Sequence, residues 1–324
     1  MDCWRMSFHT AVFAGLSPIL DLHSVLTIYF EMRKRFILLL FLSSGVLKAH
    51  QPVMDMAPRW AGGSGLQIRH IWFGSDELLA YEDQVSNPLG LSHDVNQTWF
   101  EGVYTFDRSF RITAKLAYLE QSRLRPSGAG TVFEQNSGWG DLILGMPLKR
   151  YTNASRATWN LGFTPSLRLP TGSSAGDLPL SDGSLDLGLS FSYSYEGYPS
   201  ESHPDRLFYQ LYDAFVWING EGERGMREGN VFGLDINWGI KPIFDDEAVT
   251  GTYFMWDLSA RHARSSDTLT TPLSGSRVHT GPVFVQYWGS TMFRVEWKFP
   301  VWERADGMAL SRGDEFNIGI GRAF

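Results

Sequence analysis

Two stretches of strict alternation between apolar and polar residues stand out along the chain. In residues 157–169, Trp, Leu and Phe alternate with Asn, Gly, Thr, Ser and Arg, and in residues 185–196, Leu, Phe and Tyr alternate with Asp, Gly, Ser and Glu. A period of two places alternate side chains on opposite faces of a β-strand. Runs of about 9–11 such residues are long enough for a tilted strand to cross a bilayer, whereas soluble strands average about 5–6. The pattern therefore predicts membrane-spanning strands.

The same alternation recurs along the rest of the chain and predicts about twelve strands. Short turns such as Gly289-Ser290 alternate with longer connections, for which we expect loops over residues 74–94, 120–136, 170–183, 220–230, 263–277 and 300–313. An even number of strands with long loops at one end is typical of outer-membrane barrels. A soluble β-propeller would show a repeat of roughly 40–50 residues, and none is visible. We predict an all-β, transmembrane, antiparallel up-and-down β-barrel over residues 66–324.

Composition agrees with a barrel. The 324 residues include 33 Gly and 12 Trp, and 14% of the chain is aromatic. The mean hydropathy of -0.17 is far too low for a helical membrane protein, but a barrel hides its lipid face by alternation. The net charge of -7 argues against a nucleic-acid partner. Cys3 is the one cysteine of the chain, so the sequence after it has no disulfide and no thiolate zinc site.

The N-terminal region has the features of a secretory leader. Residues 32–35 are Met-Arg-Lys-Arg, residues 36–46 are apolar, and cleavage after Ala49 would leave His50 as the first residue. We therefore predict a signal peptide over residues 32–49 and a short N-terminal segment over residues 50–65. Residues 1–31 are interpreted as an over-extended start or a disordered leader. The alternative, a hydrophobic helix over residues 11–30, would contain Pro18, Asp21 and His23.

If the apolar face meets lipid, the other face carries charges of both signs. These lumen-lining candidates are Glu101, Arg111, Lys115, Asp141, Arg168, Asp186, Asp213, Asp235, Lys241, Asp257, Arg261, Arg294, Glu296 and Lys298. One interpretation is a structural ladder, because buried charges must pair. The other is a wet pore whose paired charges set a transverse field for a polar solute. A lining of one sign would have indicated ion selectivity, and this set does not.

Some positions on the predicted inner face are apolar. The strand over residues 207–218 is apolar on both faces, so one face must point to the lumen or lie under a loop. The apolar lumen candidates are Trp99, Tyr209, Phe215 and Trp217. Such a surface suits hydrophobic or aromatic solutes, and the alternative is ordinary packing within the wall.

Three glycine-rich motifs resemble a known family. They read Gly138-Trp139-Gly140-Asp141-Leu142, Leu169-Pro170-Thr171-Gly172 and Asp182-Gly183-Ser184-Leu185-Asp186-Leu187-Gly188-Leu189. In order and spacing they resemble the outer-membrane β-barrel family associated with the meta-pathway of phenol degradation, which is often described as a transporter family. The resemblance implies an outer-membrane location and passage of aromatic or apolar compounds, and it carries over no catalytic residue.

The last strand resembles the C-terminal signal by which outer-membrane barrels are assembled. Its alternate apolar residues are Phe316, Ile318, Ile320 and Phe324, whereas Arg322 lies where an aromatic residue is usual. The partners expected are outer-membrane lipid, the barrel-assembly machinery and a small-molecule solute, with the chain as a monomer or a small homo-oligomer. Within the strand over residues 157–169, Pro165 lacks a backbone donor, so we predict a bulge or weakened pairing there.

No catalytic motif or cofactor is predicted. Walker A and H-E-x-x-H patterns are absent from the sequence, as is the Ser/His pattern of twelve-stranded outer-membrane phospholipases. His50, Met54 and Met56 could offer soft ligands to copper, but such a trio at a chain end is common by chance, so no metal site is predicted. We expect a channel for small, apolar or aromatic molecules. The alternatives are a structural or surface-interaction barrel with a plugged lumen and an outer-membrane lipid-modifying enzyme.

Overall fold

A computed structural model describes residues 62–128, 130–154, 157–197, 207–223, 229–245, 249–264 and 274–324. Within these ranges the chain forms sixteen strands: β1 (Gly63–Ser75), β2 (Leu78–Ala80), β3 (Asp83–Val85), β4 (Ser92–Asp107), β5 (Phe110–Ser127), β6 (Gly130–Gly145), β7 (Leu148–Ala154), β8 (Ala157–Leu169), β9 (Asp186–Gly197), β10 (Leu207–Ile218), β11 (Val231–Asp245), β12 (Thr250–Ala263), β13 (Gly275–Trp288), β14 (Thr291–Ala305), β15 (Met308–Leu310) and β16 (Glu315–Ala323). No helix in the described part of the chain has the length and apolarity to cross a membrane.

The long strands close into a barrel. Each pairs antiparallel with its neighbours, and the ring closes because β1 pairs with both β4 and β16. β6 and β7 form one crossing, since both pair with β8 in the same register on either side of Met146 and Pro147. Counted in this way, the 13-stranded sheet of the described residues makes twelve crossings, which confirms the predicted fold. The short strands β15, β2 and β3 form a separate three-stranded sheet.

Strands at one end of the barrel are longer than predicted. The expected loop over residues 120–136 is instead a hairpin, in which β5 and β6 pair continuously from Glu120↔Ser137 to Ser127↔Gly130. The expected loop over residues 74–94 contains β2 and β3, and the one over residues 300–313 contains the end of β14 and all of β15. We call this end of the barrel the long-loop end. The opposite end, with tight turns such as Gly289-Ser290, is the short-turn end.

Pro165 does not cause a bulge. β8 pairs with β9 in one register through Thr164↔Ser190, Pro165↔Leu189 and Ser166↔Gly188, so that part of the prediction is wrong. On its other side the pairing is interrupted, because β6 ends at Gly145 and β7 begins at Leu148. The Met146 N–H still donates to the Pro165 carbonyl at 3.0 Å. The proline therefore lies beside a break in the neighbouring strand, where its missing donor costs no ladder bond.

The two faces of the wall differ as the alternation requires. In β12, Tyr253, Met255 and Asp257 are buried, while Phe254 and Trp256 between them are exposed. The exposed face carries large apolar residues in other strands too, such as Phe191 and Ile320. Because a closed barrel buries only its inner face, we call the face of Asp257 the interior face. The outer face is an apolar surface of the kind that contacts lipid.

The first and last strands meet at a seam closed by backbone hydrogen bonds. The Phe324 N–H donates to the Ser64 carbonyl at 2.7 Å, and the Ser64 N–H donates to the Phe324 carbonyl at 3.2 Å. On the outer face of this seam, Phe316 stacks with Trp72 and with Trp297 at centroid distances of 5.4 and 5.9 Å. The leader predictions for residues 1–31 and 32–49, and the copper candidates His50, Met54 and Met56, lie outside the described residues.

Candidate functional site on the interior face

A network of paired charges covers the interior face between β12 and β16. The Lys298 ammonium lies 2.8 Å from Asp257 and 3.3 Å from Glu296, and Arg294 binds Glu296 at 3.0 Å. The Asn317 amide donates to the other oxygen of Glu296 at 2.9 Å. Asp257 and Glu296 are only 1% and 2% exposed. Buried charges of both signs thus compensate each other on this side of the barrel.

A second group of charges lies on β1, β4 and β5. Glu101 forms ion pairs with Arg69, at 2.7 Å, and with Lys115, at 3.3 Å, and the Lys115 side chain is 41% exposed. Arg111 is almost fully buried and donates to the Tyr151 hydroxyl at 2.9 Å. Lys115 is therefore more exposed to solvent than the charged residues of the network between β12 and β16.

Two further ion pairs each lie against an aromatic ring. Arg168 binds Asp186 at 3.1 Å and lies over Trp217 at 4.7 Å from the ring centre. Arg261 binds both oxygens of Asp235, at 2.7 and 2.9 Å, and lies over Phe215 at 4.7 Å. Such cation–π contacts hold the guanidinium groups flat against the wall.

The other predicted residues also have defined positions. Asp213 is paired across strands with Ser192 and with Asp235. Lys241 is fully buried, with its ammonium 5.7 Å from the centre of the Tyr253 ring. The Trp99 indole donates to Gln97 at 3.2 Å.

Apolar side chains fill the interior face towards the short-turn end. The buried cluster consists of Tyr209, Tyr253, Met255, Val283, Val285, Tyr287, Met292 and Ala323. Val283 and Val285 are each 1% exposed. The barrel interior is therefore packed on this side.

The wall formed by β8 and β9 is different. Between the Arg168–Asp186 pair and Glu196, its interior positions carry small residues, which are Asn160, Gly162, Thr164, Ser166, Gly188, Ser190, Ser192 and Ser194. The hydroxyl-bearing residues of this set are partly exposed. Asn160 donates to the Ser194 hydroxyl across the two strands. Small side chains leave accessible space along this wall.

The connection between β8 and β9 folds onto the interior face of β5 and β6. We call residues 170–185 the interior loop. Its backbone carbonyls accept from Arg123 at Asp177 (3.1 Å), from Asn136 at Leu178 (2.9 Å) and from Gln121 at Pro179 (2.9 Å). Leu178 is 6% exposed. The loop therefore occupies part of the lumen at the long-loop end.

The first two glycine-rich motifs of the sequence meet at the base of this loop, and the third begins directly after Ser181, which binds the first. Asp141 accepts from the Gly172 N–H at 2.9 Å and from the Ser181 hydroxyl at 2.8 Å. Thr171 accepts from the Leu142 N–H at 2.8 Å. A side chain at residue 172 would lie 3.0 Å from the Gly140 backbone, which explains a glycine at that close approach. Asp141 therefore anchors the interior loop, whereas the sequence predicted it only as a lumen charge.

Sequence reasoning missed several interior residues. Arg69, Arg277 and Asn317 lie on the interior face beside predicted residues. Alternation alone could have found Asn317, which is flanked by Phe316 and Ile318, whereas Arg69 and Arg277 each have one polar neighbour in their strands. The part of the chain that the structure describes contains no group of three His, Cys, Asp or Glu side chains that could hold a metal ion.

A Ser/His contact does occur on the outer face. Nδ1 of His262 lies 2.9 Å from the Ser276 hydroxyl on the neighbouring strand, and both are near the long-loop end. Among the described residues, no second hydrogen bond of His262 orients its ring. A nucleophile–base pair needs such a third group, so this contact resembles an ordinary cross-strand pair.

Comparison with solved structures places this fold among outer-membrane barrels. The crystal structure of an outer membrane channel from Pseudomonas putida F1 superposes with a TM-score of 0.64 at 17% identity, covering 85% of this chain and 100% of the channel. The β domain of the Bordetella autotransporter BrkA matches with a TM-score of 0.44 at 12% identity, covering 81% of this chain and 100% of that domain. No curated protein matches the chain.

The sequence itself matches one family. The family described as "Putative MetA-pathway of phenol degradation" matches residues 82–304, which is more than half of the chain and includes all three glycine-rich motifs. The resemblance drawn from those motifs is thereby confirmed. This twelve-stranded barrel belongs to that family.

Proposed function

We propose that the protein is an outer-membrane channel that passes small, apolar or aromatic molecules through the barrel interior. This proposal rests on a difference in packing between two parts of the barrel's interior face. The interior face between β12 and β16 is packed with buried charges and apolar side chains, whereas small, partly exposed residues line β8 and β9. A solute path along β8 and β9 is the arrangement that this difference favours.

The solute class follows from the aromatic side chains beside that path. Trp217 lies against Gly188, and Phe215 lies against Gly233, on the interior side of β10. An arginine side chain also lies over each of these rings. Trp99 adds a third ring on the wall opposite. Aromatic rings next to hydroxyl groups can contact the apolar part of a solute while the hydroxyl groups hydrogen-bond to its polar part.

The cellular setting is part of the same proposal. We propose export through a signal peptide over residues 32–49, with the mature chain beginning at His50, and insertion of the monomer or small homo-oligomer by the barrel-assembly machinery. Intact-mass analysis of the mature protein tests the first step. A mass that includes Met1 would contradict it.

Single-channel conductance in planar bilayers, together with uptake of a small aromatic solute into proteoliposomes, tests the channel. Ser192→Trp should lower both, because the ring would fill the space along β9. Phe191→Trp is the matched control, since the neighbouring side chain is 63% exposed on the outer face. Equal effects of the two variants would contradict the proposed path.

A plugged barrel is the second candidate, and the interior loop is the observation that favours it. A folded wild-type barrel without conductance and without uptake would support the plugged barrel and overturn the channel. Folding is checked by heat-modifiable gel mobility, which distinguishes this result from simple misfolding.

A further inference from the structure

A cavity of about 170 Å³ lies at the long-loop end, apart from the wall of β8 and β9. The ends of β11, β12, β13 and β14 form its sides, and Leu79 of β2 and Leu310 of β15 contribute from the small sheet. Hydrogen bonds from Tyr81 N–H to the Gly307 carbonyl and from Ala305 N–H to the Tyr81 carbonyl, both 2.9 Å, fasten that sheet to the barrel. The cavity thus lies between the barrel wall and the small sheet that is hydrogen-bonded to it.

Its lining combines guanidinium groups with apolar side chains. The arginines are Arg261, Arg264, Arg277, Arg304 and Arg312, against Glu303 as the lining carboxylate. Most of these charges already have partners. Arg261 binds Asp235 at 2.7 Å, Arg312 binds Glu315 at 2.6 Å, and Arg304 lies 3.5 Å from Glu82 at the exposed rim.

Of the two lining arginines without such a partner among the described residues, Arg264 is exposed, whereas Arg277 is not. Among the described residues, its guanidinium makes no hydrogen bond or ion pair, although the residue is half-buried. Glu303 is its cross-strand neighbour, but that carboxylate accepts from the Ser311 hydroxyl at 2.5 Å and from the Arg312 N–H at 3.2 Å instead. Arg312 and Arg261 repel the Arg277 charge, and the attraction of Glu315 and Glu303 offsets that repulsion only in part. A guanidinium cannot shed its proton to relieve this cost, so an anion is the natural compensation.

The apolar residues around Arg277 favour an anion that has a hydrocarbon part. Leu79, Val231 and Leu310 give the cavity an apolar wall next to Arg277. A planar guanidinium binds a carboxylate through two parallel hydrogen bonds, and the apolar wall suits a hydrocarbon body. A strongly hydrated phosphate would gain nothing from that wall.

We infer that Arg277 and the cavity around it bind the carboxylate of a small apolar or aromatic acid. Entry of such an acid through the lumen rests on the proposed function, whereas binding does not require passage. The site would make the barrel selective for anionic apolar solutes at its long-loop end.

Isothermal titration of the folded, detergent-solubilised barrel tests this inference, with benzoate as the probe. Benzoate should bind, while benzyl alcohol and inorganic phosphate should bind clearly more weakly. Arg277→Gln should weaken benzoate binding about tenfold or more, because a charge-assisted pair is lost. Arg277→Lys keeps the positive charge but cannot form two parallel hydrogen bonds to a carboxylate. Its affinity for benzoate should lie between those of the wild type and Arg277→Gln. Arg150→Gln, on the exposed outer face, is the matched control and should leave binding unchanged.

Several results would overturn the site. These are no benzoate binding by the wild type, unchanged affinity in Arg277→Gln, or phosphate or benzyl alcohol binding as tightly as benzoate. Heat-modifiable mobility establishes that each variant is folded, and the lysine variant provides the comparison if the glutamine variant is not. Benzoate binding without any conductance would refute the channel and leave the carboxylate site standing.

Discussion

Lys298 on β14 reaches Asp257 on β12 across the intervening strand β13, with 2.8 Å between the ammonium nitrogen and the carboxylate. The two strands do not pair with each other, so this contact ties three strands together on the interior face. Glu296 lies 3.3 Å from the same ammonium group. One cation therefore compensates two carboxylates that are almost completely buried.

Replacing Lys298 should be costly. Lys298→Met would leave Asp257 and Glu296 buried beside each other with less compensation, and breaking a buried pair costs about 3–5 kcal/mol. Urea unfolding of the barrel in detergent measures the change. Lys115→Met is the control, because the Lys115 side chain is 41% exposed and its pair with Glu101 should contribute at most about 1 kcal/mol. Equal losses in the two variants would contradict the argument.

Gly281 lies between these charged residues and should not tolerate a side chain. A Cβ atom there would lie 1.8 Å from the Trp297 carbonyl oxygen, which belongs to the backbone of β14. Gly281→Ala should therefore separate β13 from β14 and destabilise the barrel by about 1–3 kcal/mol or more. Gly307→Ala offers the comparison, because no atom lies within 4 Å of its Cβ position. Thermal unfolding at the same midpoint for both variants would show that β14 can shift without cost.

Loss of the Asp141 carboxylate should release the interior loop. Asp141→Ala removes the acceptor of the Gly172 N–H and the Ser181 hydroxyl, so the loop should open at least about tenfold more often. Limited proteolysis with a nonspecific protease measures cleavage within residues 170–185. Asp177→Ala removes an exposed carboxylate from the same loop and should leave the rate unchanged, since only its backbone carbonyl binds Arg123. A similar rate in both variants would mean that Asp141 is not the anchor.

The C-terminal residue should matter more for assembly than for stability. Phe324→Ala keeps the backbone hydrogen bonds to Ser64, so folding in detergent should change little, whereas the amount of assembled barrel in cells should fall. Leu66→Ala, an exposed apolar residue on the other side of the seam, controls for the loss of a side chain. Arg322→Tyr should increase assembly. If Leu66→Ala lowers the assembled amount as much as Phe324→Ala, the C-terminal residue carries no special signal.

The alternation of apolar and polar residues within each strand was enough to predict which charged side chains of the candidate site share a face. Alternation predicts that Asp257, Glu296 and Lys298 lie on one face, because a pleated strand turns alternate side chains to opposite sides. That assignment needs only neighbouring residues. Which charges meet depends on register between strands that are distant in sequence, so the link from Lys298 to Asp257 could not be read from the chain.

Pairing between segments distant in sequence also explains the two predictions that were wrong, for residues 120–136 and for Pro165. The segment over residues 120–136 is polar, and polarity predicts a loop, but pairing between β5 and β6 satisfies its backbone. Its polar side chains, such as Gln121, donate to carbonyls of the interior loop. Pro165 was expected to distort its strand, yet the interruption lies in the neighbouring strand at Met146 and Pro147. In both cases a partner far along the chain decided the outcome.

The sequence by itself determined the strand period, the apolar and polar faces, the number of crossings and the family, because these follow from residues close together in the chain. Only the tertiary structure decided how β1 closes on β16, how the interior loop binds Asp141, and how Arg277 comes to lie in a cavity while its cross-strand neighbour Glu303 binds other groups. Those relations depend on ring closure and register, which bring together side chains that no local pattern connects.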